Sequence, residues 1–166
     1  MAPDEANRAD SRGPRARGAV DALKTSLLVL PCGCANLRRA ARAASQVYDE
    51  ELRAAGLTIA QFTLLQVLFQ FGEITQGGLG RILVLDSTTL TRTLQTLQKR
   101  GWIRRQAGED RRSRHVVLTR AGRSRFQRAI PAWSRAQRLL RARIGRRRWK
   151  GLMEELSRIA LVQSRS

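Results

Sequence analysis

The sequence is poor in the residue types from which most catalytic and metal sites are built. It has one histidine, two cysteines and 13 acidic residues among 166. It contains no paired Cys-x-x-Cys, no His-x-x-x-His and no glycine-rich phosphate loop. A catalytic site needs a paired acid and base or an activated nucleophile, and no such set is evident. We therefore expect no enzyme activity, no metal site and no cofactor.

Long apolar runs are also absent from the sequence. The longest run near the N-terminus is LLVL at 27–30, whereas a membrane-spanning helix needs roughly 18 apolar residues or more. Residues 1–26 are polar and lack the apolar core of a secretory signal, and Pro31 stands where a lipoprotein signal would need a small residue. These features predict a cytoplasmic protein without a membrane partner.

Basic residues, by contrast, are abundant. There are 32 of them, all but three are arginine, and the formal net charge is +19. Most of the excess lies between Lys99 and Lys150. Guanidinium groups match phosphate oxygens, and neutralising phosphates releases condensed counterions. The charge therefore favours a nucleic acid or an anionic membrane surface, with an ordinary solvated basic face as the alternative.

The apolar pattern predicts a mainly α fold with a small β-hairpin. Residues 1–31 lack apolar periodicity and are expected to form a flexible arm, and residues 32–166 a single domain. Apolar residues at three- and four-residue steps predict a first helix over 35–56. Thr58 is expected to cap a second helix that stops at Gly72.

The second half of the chain predicts two more long helices. Thr119 is expected to cap a helix that bends at Pro131 and ends near Gly145, and a last helix follows it. Their apolar residues exceed what a small domain needs to cover itself, which indicates a dimer surface, although such stripes also form intramolecular cores. The residues concerned are Phe126, Trp133, Leu140, Trp149, Leu152, Leu156 and Ile159.

The middle of the chain has the element order of a winged helix-turn-helix. A short extended link at 74–76 leads into a brief helix predicted over 76–85, and a firmer helix follows over 86–101, capped by Asp86 or Ser87. The runs WIRRQ and HVVLT then flank the charged segment AGEDRRSR, which predicts a β-hairpin. In this order of elements, over residues 57–119, the second helix enters the major groove.

Helical spacing divides the firmer helix into a packed face and a free face. Leu90, Leu94 and Leu97 fall on one side. The opposite side carries Thr88, Arg92, Gln95 and Lys99. Arg92 can fork to guanine and Gln95 can pair with adenine, while Ser87 and Thr89 at the helix start can hold a phosphate. The alternative is an ordinary solvated surface.

Arginines also mark the predicted hairpin tip. Arg111, Arg112 and Arg114 are expected to follow phosphates or enter the minor groove. Asp110 would repel phosphate, so we expect it to pair with Arg112 or a nearby arginine and to hold the tip in shape. His115 is expected to be a strand residue rather than a ligand or a base.

Two segments resemble the MarR family of winged-helix regulators, named for multiple antibiotic resistance. DSTTLTRTLQTLQKRGWI at 86–103 is similar to the recognition helix of that family, and EDRRSRHVVLTRAG at 109–122 is similar to its wing. The resemblance extends from Cys34 to Val162. It implies a homodimer, joined by helices within 35–56 and 120–163, that binds a pseudopalindromic operator in double-stranded DNA.

The resemblance further implies a repressor that is released by a small ligand or by thiol oxidation. Arg38, Arg42 and Tyr48 are candidate effector contacts, with surface solvation as the alternative for the arginines. Cys32 and Cys34 stand one residue apart, and two such cysteines cannot complete a closed zinc site. They are therefore either a redox switch or small packing residues. Arg38 and its neighbour Arg39 would favour reactivity of a thiol there.

One feature departs from the family pattern. The segment RAQRLLRARIGRRRWK at 135–150 is far more basic than a dimerisation region requires. It would suit contacts to flanking DNA, an acidic partner, or a role in solubility. The same charge leaves an alternative function open, which is that of a non-specific architectural nucleic-acid-binding protein.

Overall fold

The computed structural model describes residues 32–107 and 114–162. The described residues fall into two units, which divide within the first helix between Arg42 and Ala43. The described helices are α1 Gly33–Leu52, α2 Ile59–Phe71, α3 Gln76–Leu83, α4 Ser87–Lys99, α5 Arg120–Ile144 and α6 Arg146–Ala160. The strands are β1 Ile74–Thr75, β2 Ile103–Ala107 and β3 Arg114–Leu118. The arm predicted over 1–31 lies outside the described residues.

The predicted ends of the first two helices are confirmed. A 3₁₀ turn, Arg53–Ala55, extends α1 to Gly56, which has a φ of 62° and so takes up a left-handed conformation that costs glycine little. Thr58 caps α2 with a reciprocal capping box. Its hydroxyl accepts from the backbone N–H of Gln61 at 3.3 Å, and the Gln61 side chain accepts from the backbone N–H of Thr58 at 3.2 Å.

The core forms around α2, which is apolar on most of its surface. Phe62 is 1% exposed, and its ring lies 5.1 Å from that of Phe126 and 5.8 Å from that of Trp133, both on α5. Ring pairs at such distances add to the free energy of burial. Of the two alternatives for the apolar stripe, a dimer surface or an intramolecular core, the core applies to Phe126, because its side chain is buried within the chain; Trp133 is half-buried against the same core.

The small sheet has three strands rather than the two of the predicted hairpin. The strand order is β1-β3-β2, with both pairs antiparallel. Ile74 pairs with Val116, and Ile103 pairs with Leu118. The segment predicted as an extended link thus forms the edge strand β1, which ties the start of α3 to the hairpin. The mainly α fold class is confirmed.

The long helix α5 is anchored to the base of the hairpin. Thr119 caps it, with its hydroxyl accepting from the backbone N–H of Gly122 at 3.0 Å and donating to the carbonyl of Gly101 at 2.7 Å. A Cβ atom on Gly122 would lie 1.9 Å from the carbonyl oxygen of Trp102, so only glycine fits this approach. The helix continues through Pro131 to Ile144 and ends at Gly145, as predicted for its end.

Candidate nucleic-acid interface

The helix α4 is fixed by its cap and by its leucine face. Asp86, rather than Ser87, is the N-cap residue: one carboxylate oxygen accepts from the backbone N–H of Thr89 at 2.8 Å. Leu90, Leu94 and Leu97 are at most 2% exposed and hold the helix against the core. This confirms the predicted packed face and sets the orientation of the opposite one.

The opposite face of α4 is open to solvent. The side chains predicted there are all exposed, namely Thr88, Arg92, Gln95 and Lys99. Ser87 and Thr89, at the start of the helix, are exposed as well. The Thr89 hydroxyl donates to the second Asp86 oxygen at 2.7 Å, so in this conformation its proton is already engaged. The arrangement presents one guanidinium, one amide and one ammonium group along a single helix.

The connection between α3 and α4 is tight. Gln76 at the start of α3 donates to the Thr91 hydroxyl on α4 at 3.0 Å, and a Cβ on Gly80 would lie 3.6 Å from Leu90. Val84, which ends α3, has a φ of 51°, in the left-handed region that a β-branched residue rarely adopts. Sequence reasoning missed both the Gln76 contact and the Val84 conformation, which carry no distinctive pattern.

The hairpin places further arginines beside this region. Arg104 on β2 and Arg114 on β3 are exposed. His115 is a strand residue, as predicted, and its Nδ1 atom lies 2.9 Å from a carboxylate oxygen of Glu73. This contact joins β3 to the residue before β1. The predicted DNA contacts Arg111 and Arg112, and the predicted pairing of Asp110, lie outside the described residues.

The cap of α4 makes its stability dependent on pH. The pKa of the Asp86 carboxyl is lowered from its ordinary value, chiefly because it accepts from the Thr89 backbone N–H, and next from the Thr89 hydroxyl. A carboxyl with a lowered folded-state pKa stabilises the fold above its ordinary pKa, and this contribution is lost as pH falls through the folded value.

We therefore expect Asp86→Ala to lower the melting temperature at neutral pH and to lower it progressively less in acid, below about pH 4. Asp86→Asn serves as the matched control, because asparagine also caps helices without carrying a charge. Thermal unfolding of the three proteins across a pH series measures the difference. If the difference in melting temperature between wild type and Asp86→Ala stayed constant down to the lowest pH, the proposed role of the Asp86 charge in the cap would be contradicted.

The two cysteines lie at the start of α1. Both thiols are free and exposed in the single chain. A shallow cavity of about 400 Å³ is lined by both cysteines together with Ala35, Arg38, Arg39 and Arg42. The predicted effector residues Arg38 and Arg42 therefore lie beside the thiols, in a basic and open setting.

The third predicted effector residue, Tyr48, is engaged in packing. Its phenol is half-buried and donates to the side-chain oxygen of Gln137 on α5. Burial raises the pKa of the Tyr48 phenol, so the group stays neutral and remains a donor. Tyr48 thereby joins α1 to α5 within residues 43–166.

Apart from Phe126 and Trp133, the predicted dimer surface divides into two groups. Leu140 and Trp149 are half-buried. Leu152, Leu156 and Ile159 lie on one side of α6 with exposed fractions of 36%, 39% and 48%. Helical spacing places these three in one stripe, which leaves an apolar strip of α6 in solvent.

The described residues offer neither a metal site nor a membrane-spanning helix. No group of three or more His, Cys, Asp or Glu side chains within residues 32–107 and 114–162 is placed to hold a metal ion. In the same part of the chain, no single helix is long and apolar enough to cross a membrane.

Sequence comparisons place this fold among known regulators. A family model described as MarR family matches residues 57–113. The uncharacterized HTH-type transcriptional regulator YwoH of Bacillus subtilis strain 168 is 32% identical over 91 residues, or 55% of this chain and 66% of that protein. SarZ of Staphylococcus haemolyticus, also an HTH-type transcriptional regulator, is 34% identical over 76 residues, or 45% and 52%. The chain thus spans about half to two thirds of the length of these curated relatives.

A solved structure shares more of the chain. The crystal structure of the M. tuberculosis transcriptional regulator MosR in complex with DNA is similar with a TM-score of 0.73 and 34% identity. The similarity covers 80% of this chain and 96% of that one. It therefore includes helices on both sides of the helix-turn-helix as well as the helix-turn-helix itself.

Proposed function

Because the chain belongs to the MarR family of transcriptional regulators, we propose that it binds double-stranded DNA sequence-specifically through α4 and the β2–β3 hairpin. The observation that carries this proposal is the division of α4: three buried leucines leave Arg92 and Gln95 in solvent, and the hairpin that follows α4 carries the exposed Arg114. Arginine and glutamine are the side chains that fork to guanine and adenine in the major groove. MosR, which shares this fold at 34% identity, was crystallised with DNA.

The active form in this proposal is a homodimer. The exposed stripe of Leu152, Leu156 and Ile159 on α6 offers an apolar surface that a second copy would cover. A two-fold dimer presents two α4 helices, and the matching DNA site is a pseudopalindrome with half-sites about one helical turn apart, or a multiple of it.

Footprinting tests the proposal. Purified full-length protein is added to DNA from upstream of its own gene and of the neighbouring genes, with random-sequence duplex as competitor. We expect a protected site with two related halves that survives an excess of competitor. Protection that the competitor removes in proportion to its concentration would refute sequence-specific binding.

The competing function is that of a non-specific architectural binder. The net charge of +19 alone would drive this activity. It predicts equal affinity for any duplex and a steep dependence of affinity on salt. In that case Arg92→Ala would matter no more than the loss of an arginine far from the hairpin.

The regulatory part of the proposal is that the protein represses transcription and is released by a small ligand or by oxidation of Cys32 and Cys34. The structural support is the exposure of both thiols and the three arginines that share their cavity. Exposed thiols are accessible to oxidants in solution. In a reducing compartment a disulfide formed here would be a switch rather than a permanent cross-link.

We expect mild oxidant to weaken binding to the footprinted site reversibly, with full recovery after dithiothreitol. Cys32→Ser and Cys34→Ser should each abolish the response while leaving binding by the reduced protein unchanged. Gel mobility shift with each variant measures this, and mass spectrometry locates the oxidised product. An identical oxidant response in wild type and in both variants would show that these thiols are not the sensor.

A further inference from the structure

The turn between α5 and α6 carries a dense cluster of positive charge. Seven basic side chains occur within residues 138–150, which we call the basic apex, and no acidic residue occurs there. All seven are exposed: Arg138, Arg141, Arg143, Arg146, Arg147, Arg148 and Lys150. Lys150 lies 3.9 Å from Glu154. None of the six arginines forms an ion pair with any residue in the described part of the chain.

Arginines closer to the winged helix-turn-helix are used differently. Arg100 donates to the carbonyl of Gly56 at 2.7 Å, and Arg125 donates to that of Ala55 at 3.0 Å. Arg135, just before the basic apex, donates to a carboxylate oxygen of Glu51 at 2.9 Å. These arginines join elements of the fold, whereas no side chain within residues 32–107 and 114–162 holds an arginine of the basic apex by a hydrogen bond or ion pair.

The charge of the basic apex opposes helix formation. Three arginines, at 146–148, occupy the first turn of α6, which has no acidic residue and no side-chain cap. Cations at a helix N-terminus interact unfavourably with the helix dipole, and neighbouring like charges repel. The cluster therefore costs stability in the isolated protein, and an anionic partner that neutralises it would recover this cost.

The basic apex lies far from the proposed DNA-reading elements. The start of α5 is seated on Trp102 through Gly122. The basic apex begins in the last two turns of this helix and lies at its opposite end. From Gly122 to Arg141 the helix rises about 29 Å.

We propose that the basic apex binds the phosphate backbone of a second DNA duplex, so that the protein links two duplexes. This inference rests on the proposed function, in which α4 and the hairpin hold the first duplex. A duplex held there is separated from the basic apex by the length of α5. Six of the seven cations are arginines, whose planar forks pair with phosphate oxygens in a bidentate manner.

A bridging assay tests the proposal. A biotinylated random-sequence duplex on beads is saturated with full-length protein, and capture of a second, fluorescent random-sequence duplex is measured over a salt series. The test variant is Arg146→Gln/Arg147→Gln/Arg148→Gln, and the control with the same charge loss is Arg53→Gln/Arg128→Gln/Arg158→Gln, at exposed positions outside the proposed sites. Circular dichroism confirms folding, which we expect to be retained because the test variant removes repulsion.

We expect the test variant to remain on the bead duplex but to capture about tenfold less of the second duplex. The slope of log affinity for the second duplex against log salt concentration should be smaller by about 2 to 3. The control should bridge like wild type. Undiminished bridging by the test variant would overturn the proposal. The bridging would then be explained by the two DNA-reading regions of a dimer, each holding one duplex. If the test variant lost its binding to the bead duplex to the same extent, the proposal would also be overturned, because the basic apex would then contact the first duplex.

Two further outcomes distinguish a failure of this proposal from a failure of the proposed function. In a parallel assay, fluorescent poly-glutamate takes the place of the second duplex. If wild type captures it more tightly than duplex and the test variant does not capture it, the proposal is overturned in favour of an acidic protein partner. If footprinting shows no preferred site, the proposed function fails, but the bridging result still decides whether the basic apex holds DNA.

Discussion

Gly122→Ala is expected to destabilise the protein by about 3 kcal/mol, because the added methyl group has no room. Its Cβ would lie 1.9 Å from the Trp102 carbonyl oxygen and 2.8 Å from the carbonyl carbon, which are both backbone atoms. A flexible side chain could move aside, but this backbone is held by the hydrogen bond from Thr119 N to the same carbonyl oxygen at 3.0 Å. Relief therefore requires α5 to separate from the hairpin.

Gly151→Ala is the matched control. Gly151 also lies inside a helix, and a Cβ there would meet nothing within 4 Å. Alanine is favoured over glycine in a helix by roughly 0.5 to 1 kcal/mol, so this variant should be slightly more stable than wild type. Urea unfolding of the three proteins measures the free energies. Similar effects of the two substitutions would contradict the described seating of α5 on Trp102.

Arg92→Ala is expected to reduce affinity for the preferred DNA site by about 10- to 100-fold, while affinity for random duplex falls only slightly. A bidentate contact to a base is worth about 1 to 3 kcal/mol of discrimination, whereas one phosphate contact changes all sequences alike. The Arg92 side chain is exposed on the face opposite the buried leucines, so its loss should leave the fold intact.

Arg158→Ala is the control for that variant. It removes the same charge from α6, where Arg158 pairs only with Glu155 at 3.0 Å in the described structure. Fluorescence anisotropy with the preferred and the random duplex, at one fixed salt concentration, gives both affinities. An equal loss of affinity for the two duplexes in Arg92→Ala would assign this side chain to the phosphate backbone.

Local signals in the sequence were enough to predict the helix boundaries and the exposed face of α4. Thr58, Asp86 and Thr119 each supply an oxygen at a helix start, and Gly56 and Gly72 follow helix ends, so caps could be predicted from neighbouring residues alone. The leucine face of α4 follows from helical periodicity, which does not depend on distant parts of the chain.

Features that depend on distant contacts could not be predicted in this way. The strand β1 has two residues, and it is a strand only because β3 pairs with it. Phe126 belongs to an apolar stripe, and a stripe does not tell whether its cover comes from the same chain or from a second copy. Gly122 reads as an ordinary helix glycine until Trp102 is placed against it.

The candidate site shows the same division. The exposure of Arg92, Gln95 and Lys99 follows from the helical period, whereas the engagement of the Thr89 hydroxyl by Asp86 needed coordinates. Tyr48 was expected near an effector, but its hydrogen bond to Gln137 depends on how α1 packs on α5. The absence of ion pairs at the arginines of the basic apex could likewise be established only from the positions of all described carboxylates.

The ratio of affinities for the footprinted duplex and for random duplex, measured with wild-type protein at physiological salt, tests the central claim most directly. Specific regulators bind their sites roughly 10³-fold or more tighter than random DNA. We predict a ratio in that range, falling at least tenfold in Arg92→Ala and unchanged in Arg158→Ala. A wild-type ratio near one would contradict the account, because binding would then follow from the charge of the protein alone.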